Sequence, residues 1–274
     1  MSSVLTFHKI LPGCEAGNIE AWKAFLADYT PMALHCLGVY SPWTPEERWD
    51  CWRAALRSLS ANECGKLKEF SHQSEREFLV ELRAFLQDSA APRLEHAHDA
   101  AEPPAPTLQT LDELLVGLPL VHQEVVFLTL AGYSQATLEK ILRITPAVAG
   151  DGLTRLRAGY ARVVERNEDR CLWPSVWIGI CQAARAGQTK DCTPLRQLIR
   201  ILDGQASWYE KTPADEHRAK CRHCLERWTS LLEVSMRPWT RLRTTSDNIE
   251  GLLVDIPVKT GQGNRSLVNR LFGR

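Results

Sequence analysis

The sequence predicts an all-α protein with two small helical domains and a C-terminal helical domain that carries a metal site. Three observations support this fold class. Apolar residues recur at helical spacing, and no stretch alternates with the period of two that marks a strand. Helix-start signals, in which Thr precedes Pro and a carboxylate, recur along the chain. A proline- and alanine-rich stretch at residues 89–106 interrupts the pattern and separates the first two domains.

Length and composition limit the class of protein. The 274 residues suffice for about two domains, and 44% hydrophobic with 24% charged residues is ordinary for a globular protein. There is no apolar run of about 18 residues and no signal-peptide pattern at the start. Nine cysteines, an odd number, favour thiols in a reducing compartment over a disulfide framework. We therefore expect a cytoplasmic protein without a membrane partner.

The first predicted domain covers residues 1–88 and contains three helices. Apolar residues at helical spacing around Trp22 indicate the first helix. Thr44, Pro45 and the carboxylate of Glu47 form the start of the second. The third follows Ser74. Residues 89–106 hold four prolines and no periodic apolar face, so we expect a flexible, partly extended linker there.

The second predicted domain covers residues 107–166 and has the plan of a helix-turn-helix domain. A supporting helix is followed by one at 121–130, a turn at 132–134 and a short helix at 135–142. A second turn ends at Thr145 and Pro146, and a last helix runs through Tyr160. A short helix, a turn and a longer helix after a supporting helix are the elements of this motif.

The third predicted domain covers residues 167–240. Apolar residues between 171 and 181 indicate a helix that docks on a neighbour, and a short amphipathic helix follows at 194–202. Thr212, Pro213 and Asp215 predict the start of a further helix. We expect weak order in the tail at 241–274, with one extended segment at 252–258; the closing residues 267–272 are open to interpretation as a docking motif.

A candidate metal site lies on the helix predicted to begin at Thr212. His217, Cys221 and Cys224 stand at i, i+4 and i+7, within a stripe roughly 60° wide on one helix. With Cys192 they form Cys-x24-His-x3-Cys-x2-Cys, the ligand composition of a closed tetrahedral Zn2+ site. The alternative is a set of buried or redox-active thiols. Cys192 has three possible substitutes, which are Cys171, Cys181 and His223.

This spacing resembles that of the zinc-binding anti-sigma domain, in which a His or Cys precedes His-x3-Cys-x2-Cys by about 25 residues; Cys192, His217, Cys221 and Cys224 match it position by position. The resemblance implies a domain that wraps a sigma factor and blocks it from RNA polymerase. It also implies release when the thiols oxidise or the metal leaves, a chemistry open to zinc-bound thiolates.

Residues 10–166 resemble the extracytoplasmic-function sigma factors. Leu118-Pro119, residues 124–128 and Gly132-Tyr133-Ser134 look like parts of the domain that reads the promoter −35 element. Residues 17–22 and 70–79 parallel the opening helix and the −10 segment of the other domain. The resemblance therefore implies two sigma-type domains and, as partners, the RNA polymerase core and promoter DNA.

The resemblance also implies roles for individual residues. Implied DNA-binding residues are Arg76, Arg83, Thr145, Arg155, Arg157 and Arg162. Implied polymerase-binding residues are Glu46, Glu47 and Asp50. On the same helix, Trp49 and Trp52 are expected in the core; the alternative is a patch that the anti-sigma-type domain covers.

The sequence departs from the sigma pattern where DNA would be read. The last helix of the second domain begins with residues 146–152, which include Gly150, Asp151 and Gly152, where sigma factors place basic and polar residues. Residues 107–166 carry six acidic and six basic side chains, and the whole chain has no net charge. Because phosphate neutralisation supplies much of DNA affinity, we expect the free protein to bind promoters weakly.

The sequence thus predicts a sigma factor that is held inactive by contact with its own fused zinc-binding domain, which responds to redox state or metal. Two alternatives stay open. One is a sigma-shaped adaptor that acts through protein contacts alone, and the other is a metal or redox sensor read by another protein. No phosphate-binding loop, dinucleotide fingerprint or hydrolase motif is present, so we do not expect an enzyme.

Overall fold

The computed structural model describes residues 6–40, 42–70, 73–94, 106–236, 239 and 244–256. Regular structure within these ranges is helical without a strand, which confirms the all-α prediction. None of the described helices has the length and apolar character needed to cross a bilayer. The helices are α1 (Phe7–Glu15), α2 (Ile19–Tyr40), α3 (Pro45–Lys68), α4 (Glu75–Leu94), α5 (Leu108–Leu115), α6 (Leu120–Ala131), α7 (Gln135–Leu142), α8 (Pro146–Val164), α9 (Pro174–Ala186), α10 (Leu195–Leu202), α11 (Trp208–Arg218), α12 (Arg222–Met236) and α13 (Ser246–Leu253).

Helices α1–α4 form a first group around an aromatic core. The rings of Phe25, Tyr29 and Phe78 are buried and lie within edge-to-face distance of one another, with centroids 4.9–6.1 Å apart. Helix α3 begins where the sequence predicts, because Thr44 and Glu47 form a reciprocal capping box behind Pro45.

Helices α5–α8 form a second group with the helix-turn-helix order. Gly132 ends α6 with φ 118°, and a Cβ there would lie 2.5 Å from the backbone nitrogen of Cys171, so only glycine fits. Arg143, with φ 55°, ends α7, and the Thr145 side chain accepts a hydrogen bond from the Val148 N–H to start α8. The observed bounds of α7, 135–142, are those predicted.

The connection from α8 to α9 joins the two groups. The Asp169 carboxylate accepts hydrogen bonds from the Ser134 N–H and hydroxyl, each 2.8 Å, and from the Thr137 hydroxyl, so it caps α7 from outside the helix-turn-helix. Two residues later the Cys171 N–H donates to the Val39 carbonyl of α2 over 2.9 Å. One short stretch therefore contacts both groups.

Helix α12 is the centre of the C-terminal part. It packs against α4 of the first group, against α6 and α7 of the second, and against α9, α10 and α11. Its apolar side chains Leu225, Leu231 and Val234 are fully buried. An interior helix with neighbours on all sides joins the hydrophobic cores of both groups into one.

Three predictions about local structure are wrong. Residues 89–94 belong to α4, which includes Pro92, and are not extended linker; residues 95–105 lie outside the described part. Helix α11 begins after Ser207, whose capping box with Glu210 is complete, so Thr212 and Pro213 lie inside the helix. In the tail, residues 246–253 form α13, so 252 and 253 are helical where an extended segment was expected; residues 257–274, with the motif at 267–272, are not described.

Candidate metal centre

The candidate metal centre is built at the junction of two helices. His217 lies in the last turn of α11, which ends at Arg218, and α12 begins at Arg222. Cys221 immediately precedes α12 and Cys224 lies in its first turn. The prediction that one continuous helix carries the three side chains is therefore wrong.

The structure nevertheless brings the four predicted ligand residues together. One ligand atom from each of Cys192, His217, Cys221 and Cys224 lies within 4.8 Å of all the others. The Cys192 and Cys221 sulfurs are 3.7 Å apart. In a tetrahedral site with Zn–S bonds of about 2.3 Å, sulfurs lie roughly 3.8 Å from each other. The cluster can therefore hold a metal ion with little rearrangement.

The protonation chemistry of the cluster also suits a metal. Burial raises the pKa of the Cys192 thiol, but hydrogen bonds from the Thr189 N–H and hydroxyl, His217 and Cys221 outweigh it and lower that pKa to about 6. Burial and the neighbouring thiols raise the pKa of Cys224 to about 12. The buried Nε2 of His217 has no hydrogen-bond partner within the protein. A cation would give that nitrogen a partner and deprotonate the thiols.

The three substitute ligands lie elsewhere. Cys171 and Cys181 are fully buried, and burial raises the pKa of both thiols. The Cys171 thiol donates to the Leu130 carbonyl. The Nδ1 of His223 is 3.2 Å from the Arg185 carbonyl oxygen, so this ring faces α9. The arrangement therefore favours Cys192 as the fourth ligand.

Around the cluster, buried charges connect α11 to the second helical group. The Arg218 guanidinium lies 3.9 Å from the centroid of the Trp228 ring and pairs with Glu124 of α6 at 3.3 Å and Asp215 at 3.1 Å. Burial raises the pKa of Glu124 to about 7, although Arg218 opposes that shift. Arg222 pairs with Asp112 of α5 at 2.6 Å.

A second buried cluster connects α12 to the first helical group, and it contains a residue predicted to bind DNA. Arg83 is 1% exposed and donates through Nε to Glu233 over 2.7 Å and through Nη1 to Ser230 over 2.7 Å. Glu226 accepts from Arg83 and from Arg185 at 3.3 Å, and the Tyr40 hydroxyl donates to Glu233. In this conformation Arg83 is inaccessible to phosphate, so its predicted contact with DNA requires that α12 first move away.

The other predicted DNA-binding residues are dispersed. Arg76 pairs with Asp203 of the C-terminal part through two hydrogen bonds of 2.8 and 2.5 Å. Arg155 folds back onto the Leu114 and Val116 carbonyls. Exposed positions on α8 and its start are occupied by Thr145, Arg157 and Arg162.

The predicted polymerase-binding carboxylates Glu46, Glu47 and Asp50 are exposed on the first turns of α3. Glu47 also accepts the Thr44 N–H in the capping box, so part of its role is to start the helix. Trp52 is fully buried and donates to Thr30, and Trp49 is half-buried, in line with the core prediction for Trp52.

The sequence did not reveal the residues that form the buried charge cluster around Arg83. Glu226 and Glu233 of α12 and Arg185 of α9 are among these residues, and each is a charged residue in a helix that also carries many apolar side chains. Charged residues inside an otherwise apolar helix are a usable signal, because they are rarely buried without a partner.

Searches against protein-family models, curated proteins and solved structures found no match to the chain.

Proposed function

We propose that the protein is a sigma factor of the extracytoplasmic-function type whose fused zinc-binding domain holds it inactive. Its first two helical groups direct the RNA polymerase core to promoters, and the C-terminal part, with Zn2+ on Cys192, His217, Cys221 and Cys224, covers them. The observation that carries the proposal is the position of α12, which packs on α4 and α6 and buries Arg83 against Glu233. The donor set favours zinc, because three cysteines and one histidine are typical ligands of a closed structural zinc site.

Covalent connection explains why inhibition is the default state. A fused domain reaches an effective concentration in the mM range, roughly, when its connection is short and flexible. The C-terminal part therefore needs little intrinsic affinity for the first two helical groups to compete with a polymerase at cellular concentration. Its release follows loss of the metal or oxidation of the thiols, because either event would remove the metal–ligand bonds that restrain the α11–α12 turn.

The test compares core-polymerase binding and run-off transcription by the zinc-loaded full chain, the chelated full chain and a 1–170 truncation. The truncation lacks α12 and exposes Arg83, so we expect it to bind core and support transcription at least tenfold better than the zinc-loaded chain. Equal activity of the two would contradict inhibition by the C-terminal part. Asp50→Lys in the truncation should weaken core binding, whereas Glu20→Lys on the exposed start of α2 should not.

A second candidate function is an adaptor that keeps the sigma shape but acts only through protein contacts. The observation that favours it is that one of the three arginines of α8, Arg155, folds back onto backbone carbonyls and is not turned outward toward a phosphate. Core-polymerase binding by the truncation without promoter binding at low salt would support this adaptor, because phosphate contacts are strongest there.

A further inference from the structure

Two arginines lie inside the run of metal ligands, and both reach the second helical group. Arg218 stands between His217 and Cys221, and Arg222 stands between Cys221 and Cys224. A metal that binds these three ligands restrains the backbone on both sides of each arginine. We call Arg218 and Arg222 the arginine pair. Their side chains are therefore placed by the same turn that forms the metal centre.

The arginine pair contacts two helices of the second group. Arg222 donates from Nε to Asp112 of α5 over 2.6 Å and from Nη1 to Gln123 of α6 over 3.2 Å. Gln123 in turn donates to the Leu118 carbonyl in the α5–α6 connection over 3.1 Å. Arg218 reaches the next residue of α6, Glu124. The two guanidinium groups thus join α5, α6 and the connection between them to the α11–α12 turn.

Contacts with the first group arise outside the ligand run. The arginine of α12 that pairs with α4 is Arg227, which donates to Glu81 over 2.8 Å and lies three residues after the last ligand. The partners that α12 gives to Arg83, namely Glu226, Ser230 and Glu233, also lie beyond Cys224 on regular α12 backbone. Their positions depend on the packing of α12 and not on the geometry of the turn.

From this asymmetry we infer that the metal controls the second helical group selectively, through the arginine pair. Arg218 and Arg222 are positioning residues: metal binding holds them on α5 and α6, and metal loss loosens these helices first while α4 stays bound to α12. The inference deepens the proposed function and rests on its metal site. It makes release stepwise, with the helix-turn-helix group freed before the first group.

Thermodynamic reciprocity gives a test that needs no transcription. If metal binding strengthens the contact with α5, then removal of that contact must weaken metal binding by the same factor. Asp112 is not a ligand, and its side chain is 49% exposed, so Asp112→Asn should leave the fold intact. We expect this variant, in the full chain, to bind zinc about threefold more weakly in competition with a chromogenic chelator.

The matched control is Glu81→Gln. Glu81 is also an acidic residue paired with an arginine of α12, at 2.8 Å, but that arginine lies outside the ligand run. The zinc affinity of this variant should equal that of the unaltered chain. Equal shifts in the two variants, or no shift in either, would overturn the inference.

Hydrogen exchange provides a second readout on the unaltered chain. Chelation should raise the exchange rates of α5 and α6 amides by about tenfold and leave those of α4 nearly unchanged. Equal increases in all three helices, or none in α5 and α6, would refute selective control. These outcomes are separable from the proposed function: a chain that shows the selective response but never binds polymerase would overturn the sigma proposal alone.

Discussion

The two helical groups are held to α12 by different means. Toward the first group, Arg83 and Glu233 are 1% and 0% exposed and form part of a network with Tyr40, Glu226 and Ser230. Toward the second group, the pair Arg218–Glu124 of α11 and α6 is 4% and 10% exposed, but the pair that α12 itself makes, Arg222–Asp112, is 16% and 49% exposed. A buried network resists partial disruption because each member left alone is an unpaired buried charge. A half-exposed pair can open at small cost, since water replaces the partner. The comparison suggests one rigid and one adjustable contact.

The largest expected effect comes from breaking the rigid contact. Arg83→Met leaves Glu233 and Glu226 buried with less positive charge, so the free energy of unfolding should fall by about 3–5 kcal/mol. Chemical denaturation of the zinc-loaded protein measures this fall in the free energy of unfolding. The control is Arg57→Met, since Arg57 is 55% exposed in its pair with Asp255 and should matter by less than about 1 kcal/mol. Similar losses in both variants would remove the distinction between the contacts.

A smaller effect is expected from emptying the metal centre. Cys224→Ser should abolish binding of the single zinc ion, and at a free-zinc concentration about a hundredfold above Kd the lost stabilisation is about 2.7 kcal/mol. Metal analysis and thermal unfolding with and without zinc measure the two quantities. Cys181→Ala removes a buried thiol that does not belong to the cluster and should keep one zinc per chain. A Cys224→Ser protein that still binds one zinc would contradict the ligand assignment.

The smallest expected effect is a change in how the free energy of unfolding depends on pH, and it arises from a histidine of the first group. His35 of α2 packs against Trp239, which follows α12, and burial lowers the pKa of its imidazole, although Glu233 and Asp169 oppose that shift. The unfolded chain therefore binds more protons near and below pH 6.5, so His35 contributes stability above that pH that is lost as the pH falls.

The loss attributable to His35 should reach up to about 1 kcal/mol between pH 7 and 5.5. Unfolding curves of zinc-loaded wild type and His35→Gln at the two pH values measure it, and the variant should show a flatter dependence. His8→Gln, at an exposed position of α1, should keep the wild-type slope. An unchanged slope in His35→Gln would show that this ring does not report on the contact.

Local signals predicted many of the helices correctly because their causes are local. The capping box at Thr44 and Glu47 starts α3, and Gly132 ends α6 because the left-handed backbone there requires glycine. The ligand set followed from residue type and spacing alone. The structure brings its four members within 4.8 Å of one another although the helix assumed to carry three of them breaks between Arg218 and Arg222, because His217, Cys221 and Cys224 lie close together in the chain.

The failures come from interactions that local patterns do not contain. Residues 219–221 include no glycine or proline, so nothing in them signals the turn, and tertiary contacts of the flanking arginines favour it instead. Ser207 and Thr212 both resemble helix starts, and only the Ser207 capping box forms. The burial of Arg83 depends on Glu233, which lies 150 residues further along the chain.

That separation has a consequence for synthesis of the protein. A ribosome that adds about 5–20 residues per second needs roughly 8–30 s to reach Glu233 after it has made Arg83. For most of this interval α4 is complete and α12 is not yet made, so Arg83 has none of the partners that α12 later provides. Each new chain therefore passes through a period in which the first two helical groups exist without their cover, and a polymerase or a chaperone near the ribosome would meet them in that form.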